Sequence, residues 1–482
     1  MTLKNLLTDV AAIKTNVDME QNISGVCYDS RRVQAGDVFV AISGFATDGN
    51  RFIPMALQNG AAVVVTAKEP EGSVPYVLVE DDRKALAQIS CNYFGHPAKS
   101  MTMIGVTGTN GKTSVTLLLK QVLEKTLGAK VGLIGTMENQ IGDVVIPTQR
   151  TTPESYELQA LFAKMRDAGC THVVMEVSSH AIALHRVGGV HFHVAAFTNL
   201  SEDHLDFHKT MEAYCDTKAI LFSRCDKAVF NRDNEWFERI SAGVSVPMLT
   251  SSCKGNGELQ AKNLQMNADG VRFTASCSGE EAEVCVGIPG GFTVYNTLSV
   301  LGIALQLGIS LNAAAEALAE CKGVTGRVEV VPTPGKDFTV LIDYAHTPDG
   351  LENVLQSVRG YCKGKLICVF GCGGDRDPIK RPIMGKIGVS MSDFAVITSD
   401  NPRTEDPMAI IEDILKGVDD SMGSYIVMEN RIKAIGYAMD IAGKDDIIVL
   451  AGKGHETYQE ICGVKHHLDE REVVAAHLAE MR

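Results

Sequence analysis

Residues 101–119, MTMIGVTGTNGKTSVTLLL, limit what this chain can fold into more than any other stretch. The apolar run 101–106 is short enough for a buried strand. It passes through Thr107-Gly108-Thr109-Asn110-Gly111-Lys112-Thr113 into an apolar-periodic segment that predicts a helix ending near Gly128. Strand, glycine loop, Lys-Thr and helix, in that order, make a phosphate cradle. Gly108 and Gly111, with Thr109 and Asn110 between them, let the backbone approach phosphate oxygens, and the open N–H groups at a helix start bind anions. Lys112 is placed to reach the β- and γ-phosphates of ATP, and Thr113 to hold Mg²⁺. The fit to the general Walker pattern is offset, with Val106 where its first glycine belongs and glycines at 105 and 108. A lone Gly-Lys-Thr is also an ordinary turn, but the strand and helix signals on either side favour the cradle.

At 482 residues the chain has room for about three domains, each with its own core. Hydrophobic residues at 45% and charged residues at 22% fit a packed globular protein rather than a disordered one. No apolar run approaches a membrane span, and Met1-Thr2-Leu3-Lys4 leads into no signal-peptide core. A cytoplasmic address without membrane insertion is therefore expected. A net charge of −14 argues against general nucleic-acid binding, so an anionic substrate must be met by local lysines and arginines. The thirteen cysteines are odd in number and include no CxxC pair, which reads as reduced, partly buried thiols.

Strands alternating with helices define an α/β class in three domains. Residues 1–99 read as a small α/β unit, with strands at 38–42 and 61–66, a helix at 83–94 and a linker at 95–97. Residues 100–326 read as a central unit with a mostly parallel sheet. Its further strands are expected at 171–177, 193–200 and 227–231, and its helices at 211–223 and 298–307. Residues 259–286 change to short alternating runs split by Asn267-Ala268-Asp269-Gly270 and Ser278-Gly279-Glu280, which predicts an antiparallel hairpin insert. Residues 327–482 read as a doubly wound, Rossmann-like unit, with strands at 339–343, 365–370, 394–398 and 446–451 and a closing helix at 469–481. In such sheets, binding groups gather beyond the carboxyl ends of the strands. Glu176, Ser178, Asn199, Asn231 and Asp233 fall there.

Glu176 at a strand end suits Mg²⁺, a hard cation that takes oxygen, although a lone glutamate there is more often capping or salt-bridged. His204 and His208 lie in a loop dense in ligand-capable groups but lack the HExxH pattern of a zinc site. Lys218 alone reads as a solvated helix lysine. Pro402 stiffens a loop and presents Arg403, whose planar guanidinium suits bidentate capture of a carboxylate, although a turn with a surface arginine is the plainer reading.

The ordered set DSR, TGTNGKT, TTP, MEVSSH, DHLDFH, YCDTK, NTL, GR, DYAHTPD, DNPR and AGKGHE covers nearly the whole chain. It resembles the Mur ligase family, ATP-dependent amide-forming enzymes of bacterial cell-wall precursor assembly. The resemblance implies that Ser30 of DSR meets the uridine diphosphate end of the substrate. It places Thr151, Thr152, Ser178 and Arg186 on the muramoyl-dipeptide of UDP-N-acetylmuramoyl-L-alanyl-D-glutamate. Glu176 and His204 fall where the family holds a second Mg²⁺, and Lys218 where many members carry a carbamylated lysine. Asn296 would meet the adenine, Arg327 the ATP phosphates and Asp343 the nucleotide. Thr293 departs from the Asn more usual in the family. DNPR (Asp400, Asn401, Pro402, Arg403) resembles the members that take meso-diaminopimelate; lysine-adding relatives lack this arginine. Arg376, Gly452 and Glu456 match the remaining amino-acid contacts, with Glu456 facing the distal ammonium. A catalytic set of Lys112, Glu176, His204, Lys218 and Arg327, acting in a monomer, is the expectation.

Overall fold

The computed structural model describes residues 1–44, 47–148, 150–267, 269–321, 323–419 and 421–481, and three large sheets succeed one another along it. The first has five strands, among them Val38–Ala41 and Val63–Thr66, paired in parallel and buried along their whole length. Cover on both faces is why these two read as unbroken apolar runs. The helix Asp82–Tyr93 packs on this sheet, capped by the Asp81 carboxylate, which accepts from the N–H groups of Arg83 and Lys84.

The second sheet has eleven strands. Its parallel core runs Met248–Ser252, Cys225–Asn231, Phe192–Phe197, Thr102–Thr107, His172–Glu176, Val131–Ile134. The register sets Val106 beside Glu176 and Thr107 beside Phe197, so three strands end at one rim. The order of strands reverses about Thr102–Thr107, the position at which open α/β sheets leave a crevice for ligands. Both edges are antiparallel. Asn139–Ile141 and Val144–Ile146 form one, and Leu259–Asn267, Gly270–Cys277 and Glu280–Val286 the other. The second edge agrees with the expected insert, except that Ala268 in its first turn lies outside the described residues.

Two glycines explain the offset motif. A Cβ at Gly105 would meet the Phe192 ring at 2.9 Å, so that glycine serves strand packing. At Gly108 (φ +149°) a Cβ would sit 2.0 Å from Thr198 Oγ1, so here the loop backbone presses onto the neighbouring strand end. Gly108→Ala is expected to cost about 1–3 kcal/mol of stability through overpacking and to weaken ATP binding. Thermal melting together with ATP titration calorimetry checks both, and unchanged ATP affinity would refute the close approach.

The third sheet has six strands: Glu329–Val331 antiparallel at the edge, then Thr339–Asp343, Ile447–Ala451, Leu366–Phe370, Phe394–Ile397 and Ser424–Val427 in parallel. Alternate residues face opposite cores. Leu341, Cys368 and Val449 pack with the helices Pro348–Arg359, Lys380–Ser390 and Pro407–Leu415. Val340, Ile367 and Ile448 pack with Arg431–Ile441 and Glu470–Glu480. This is the doubly wound arrangement the alternation predicts. A two-stranded hairpin, Tyr458–Ile461 with Val464–His467, precedes the last helix.

Some boundaries differ from those expected. The helix predicted from 298 spans Gly291–Gln306. Its first turn is rich in poor helix formers, and Ser357 Oγ, accepting from Gly291 N at 2.9 Å, supports it from the third unit. The 211–223 segment is an α-helix Met211–Ala219 followed by a 3-10 turn Ile220–Arg224. All thirteen cysteines are free thiols, as expected. Among the described residues no helix is long and apolar enough to cross a membrane.

Candidate active site

A cavity of about 680 Å³ opens where the rim of the central sheet faces the third unit, lined by the phosphate loop, Glu176, Asn296, Arg327 and Asp343. A second cavity of about 670 Å³, between Val331, Pro334 and Leu478, is mostly apolar and holds none of the loop. Chemistry rather than size places the site at the first.

The helix Lys112–Leu127 begins at Gly111, in left-handed conformation and without a side-chain cap, which leaves its first N–H groups open to an anion. Lys112 Nζ curls back to donate to Gly108 O at 2.9 Å and Thr109 O at 2.8 Å. Its burial lowers its pKa from the ordinary lysine value. Thr113 Oγ1 donates to Glu176 Oε1 at 3.0 Å, and both residues are buried. Glu176 also accepts from Thr136, from its N and its Oγ1, each at 2.9 Å. Its partners are therefore hydroxyl and amide donors rather than the cation of a salt bridge.

Lys218 is 1% exposed, which excludes the solvated-lysine reading. Its Nζ donates to Gly108 O at 2.9 Å and lies 4.5 Å from the centre of the Tyr214 ring. Burial first and the Lys112 charge second push its pKa well below the usual lysine range. His204, in left-handed conformation, lines the cavity with Nε2 3.4 Å from Asp203 Oδ2 and its ring against His180. Desolvation lowers its pKa, favouring the neutral imidazole. Among the described residues no three His, Cys, Asp or Glu side chains form a ready metal cage. The adjoining oxygens of Thr113 and Glu176 are the best start of one, and their hard-donor chemistry fits Mg²⁺.

Asn296 stands directly beneath the loop, since a Cβ on Gly111 would meet its Oδ1 at 2.3 Å. Arg327 lies over the Tyr344 ring at 5.0 Å, and its buried Nε has no hydrogen-bond partner. Asp343 is engaged within the protein: Oδ2 accepts from Val328 N and Oδ1 from Ala345 N, both at 2.8 Å. It fixes the chain just after Arg327.

Thr151, Thr152, Ser178 and Arg186 come together on the same side of Glu176. Thr152 Oγ1 donates to Glu176 O at 2.8 Å and lies 3.4 Å from Ser178 Oγ. Thr151 Oγ1 lies 3.0 Å from Thr136 Oγ1, and Arg186 NH1 donates to Thr152 O. Ser30 lies apart from this group, in the first unit, with Oγ toward Met55 Sδ at 3.4 Å.

Asp400, Asn401, Pro402, Arg403, Gly452 and Glu456 form a second group in the third unit. Asn401 Nδ2 donates to Glu456 Oε2 at 2.8 Å. A Cβ on Gly452 (φ +120°) would strike Asp400 Oδ2 at 2.4 Å. Arg403 NH1 donates to Gly374 O at 2.6 Å, while Arg376 is exposed at its own turn, near Arg403 across Gly373.

Several contributors carried no role in the sequence reading. Thr136 holds both oxygens of Glu176. Lys453, wholly buried, joins Asn401 Oδ1 and Glu456 Oε2, each at 3.1 Å. Asp349, inside the quoted DYAHTPD, accepts from Asn110 Nδ2 at 2.8 Å and from Ser201 Oγ at 2.9 Å through one oxygen. It ties the third unit to the phosphate loop; only its place in a motif could have singled it out.

A phosphate loop facing oxygen donors, roofed by a second α/β unit, suits an enzyme that spends ATP on joining two molecules. Residues 22–94 match the Mur ligase family catalytic domain, 106–304 the Mur ligase middle domain, and 326–454 the Mur ligase glutamate ligase domain. The chain belongs to the Mur ligase family. A relative from Clostridium botulinum, named UDP-N-acetylmuramoyl-L-alanyl-D-glutamate--2,6-diaminopimelate ligase, is 47% identical over 487 residues, covering 100% of this chain and 99% of the relative. One of the same name from Caldanaerobacter subterraneus is 48% identical over 484 residues, covering 100% and 99%. A solved structure of a ligase of that name matches with a TM-score of 0.74 at 30% identity, covering 100% of this chain and 99% of the other.

Proposed function

We propose that this chain is the ATP-dependent ligase that joins meso-diaminopimelate to UDP-N-acetylmuramoyl-L-alanyl-D-glutamate, in cytoplasmic peptidoglycan precursor synthesis. The observation that carries the amino-acid choice is Arg403, held by its loop and by Gly374 O beside the Asn401–Glu456 pair. Diaminopimelate differs from lysine by one distal carboxylate, which matches one additional guanidinium, while Glu456 receives the neighbouring ammonium. Arg376, Asp400, Pro402 and Gly452 complete that subsite. Ser30 takes the uridine diphosphate end, and Thr151, Thr152, Ser178 and Arg186 the muramoyl-dipeptide.

The terminal D-glutamate carboxylate attacks the γ-phosphorus of ATP, forming an acyl phosphate and releasing ADP. The diaminopimelate amine then attacks the acyl carbon, and the tetrahedral intermediate expels phosphate as the amide forms. No side chain acts as a covalent nucleophile. Lys112, the open N–H groups of the loop and Arg327 position the phosphates and neutralise charge during transfer. Asn296 and Asp343 shape the nucleotide compartment. Mg²⁺ would be held by Thr113 and, at a second position, by Glu176, His204 and a carbamate of Lys218, and supplies charge neutralisation when bound. The burial that lowers the Lys218 pKa favours that carbamate, because only the free base adds CO₂, losing one proton as the N–C bond forms.

Phosphate release measured with UDP-muramoyl-dipeptide against a panel of amino acids tests the reading. Stimulation by meso-diaminopimelate is expected. Stimulation by lysine alone would make the chain a lysine-adding ligase, and no stimulation by any amino acid would leave an ATP-binding regulatory module.

A further inference from the structure

The hairpin Tyr458–Ile461 and Val464–His467 lies against the loop that presents Arg403, and one isolated bridge, Arg403 with Ile461, joins its first strand to that loop. Gln459 Nε2 donates to Asp400 O at 2.6 Å and to Ser399 Oγ at 3.3 Å. Glu460 N donates to Asn401 Oδ1 at 2.9 Å. Arg403 N donates to Glu460 O at 3.0 Å, and Cys462 N to Arg403 O at 2.6 Å. Arg403 sits at φ +53°, a left-handed conformation that is unfavourable for a non-glycine residue and persists only where neighbours enforce it. This ladder enforces it.

The side chain is held differently. NH1 is fixed on Gly374 O, while the Nε edge faces Glu460 Oε2 at 3.5 Å, an ion pair rather than a tight hydrogen bond. The two side chains are 21% and 27% exposed. The backbone ladder and Gly374 therefore orient the guanidinium, and the Glu460 carboxylate contributes charge. With Nε turned toward Glu460, the end carrying NH2 is the part left for another carboxylate.

We infer that Glu460 is a specificity-tuning residue: it shares Arg403 with the distal carboxylate of the incoming amino acid and thereby weakens both the affinity and the selectivity of that subsite. The inference rests on the function proposed above. Two carboxylates on one guanidinium repel each other, so the resident acid weakens the arriving one. Glu460 also gives Arg403 a partner when a substrate without a distal carboxylate binds. It thus softens the penalty for a half-buried guanidinium left without a carboxylate, which would otherwise count against lysine.

The test is Glu460→Gln in the full chain, an isosteric change that leaves the backbone ladder intact, with ADP release followed against meso-diaminopimelate and lysine. KM for diaminopimelate is expected to fall roughly two- to fivefold, the scale of a partly exposed ion pair, with little change in kcat. Preference over lysine rises by a similar factor. A merely structural lesion would raise KM, so the direction separates the two roles. In an Arg403→Gln background, Glu460→Gln should leave KM unmoved; an equal fall there places the effect elsewhere and overturns the inference. An active wild type whose KM is unchanged or raised by Glu460→Gln overturns this inference alone. A wild type without diaminopimelate-dependent ADP release overturns the proposed function and this inference with it.

Discussion

Arg403→Lys is expected to lower kcat/KM for meso-diaminopimelate by about 100-fold or more while ATP binding stays unchanged. A carboxylate that loses its partner in a buried charge pair costs about 2–5 kcal/mol, and a lysine ammonium at this position recovers only part of that. Lysine cannot replace the fork. Its ammonium is a single point charge on a flexible stem, whereas the guanidinium here is aimed by Gly374 O and by a backbone held in an unusual conformation. Addition of lysine should be much less affected, so the ratio between the two amino acids collapses. Steady-state kinetics with both amino acids, paired with ATP titration, decides it. Unchanged selectivity would remove the role given to Arg403.

Lys218→Ala is expected to depress turnover by about 100- to 1000-fold, the usual loss when one preorganised electrostatic group leaves an active site. The ammonium form has little use where it lies. It is buried beside Lys112 and bonded to the carbonyl of Gly108. A carbamate would instead give the same side chain negative oxygen beside the phosphate loop, where its nitrogen lies. Formate or acetate should then restore part of the activity of Lys218→Ala, with Lys218→Met responding in the same way. Full activity of Lys218→Ala would refute the metal role, and a loss that no carboxylate relieves would leave the lysine a structural part of the loop.

What could be read in advance follows from how local each feature is. The phosphate loop is contiguous, so its strand, glycines and helix start announce it in nineteen residues. The alternating strands of the third unit were legible because their two faces meet separate apolar cores. Lys218 was not, since its helix has no apolar stripe to show that this position points inward. Thr136 follows Val131–Ile134, a four-residue strand interrupted by Gly132, too short and irregular to stand out. The hairpin at 458–467 is largely exposed or half-buried, and its partner is a loop, so no periodicity marks it. Ser30 and the cavity residues were assigned through the family's motif order, because their distances along the chain carry no geometric information.

Asp349 gives the molecule a mechanical property. One of its oxygens receives both Asn110 from the phosphate loop and Ser201 from the adjacent rim, across 239 and 148 positions of sequence. An outward swing of the third unit would break both bonds together and leave the tip of the loop held by its bonds to Thr198 and Asn199. That one oxygen is thus a latch between the third unit and the phosphate loop, and a displacement of either would load the other.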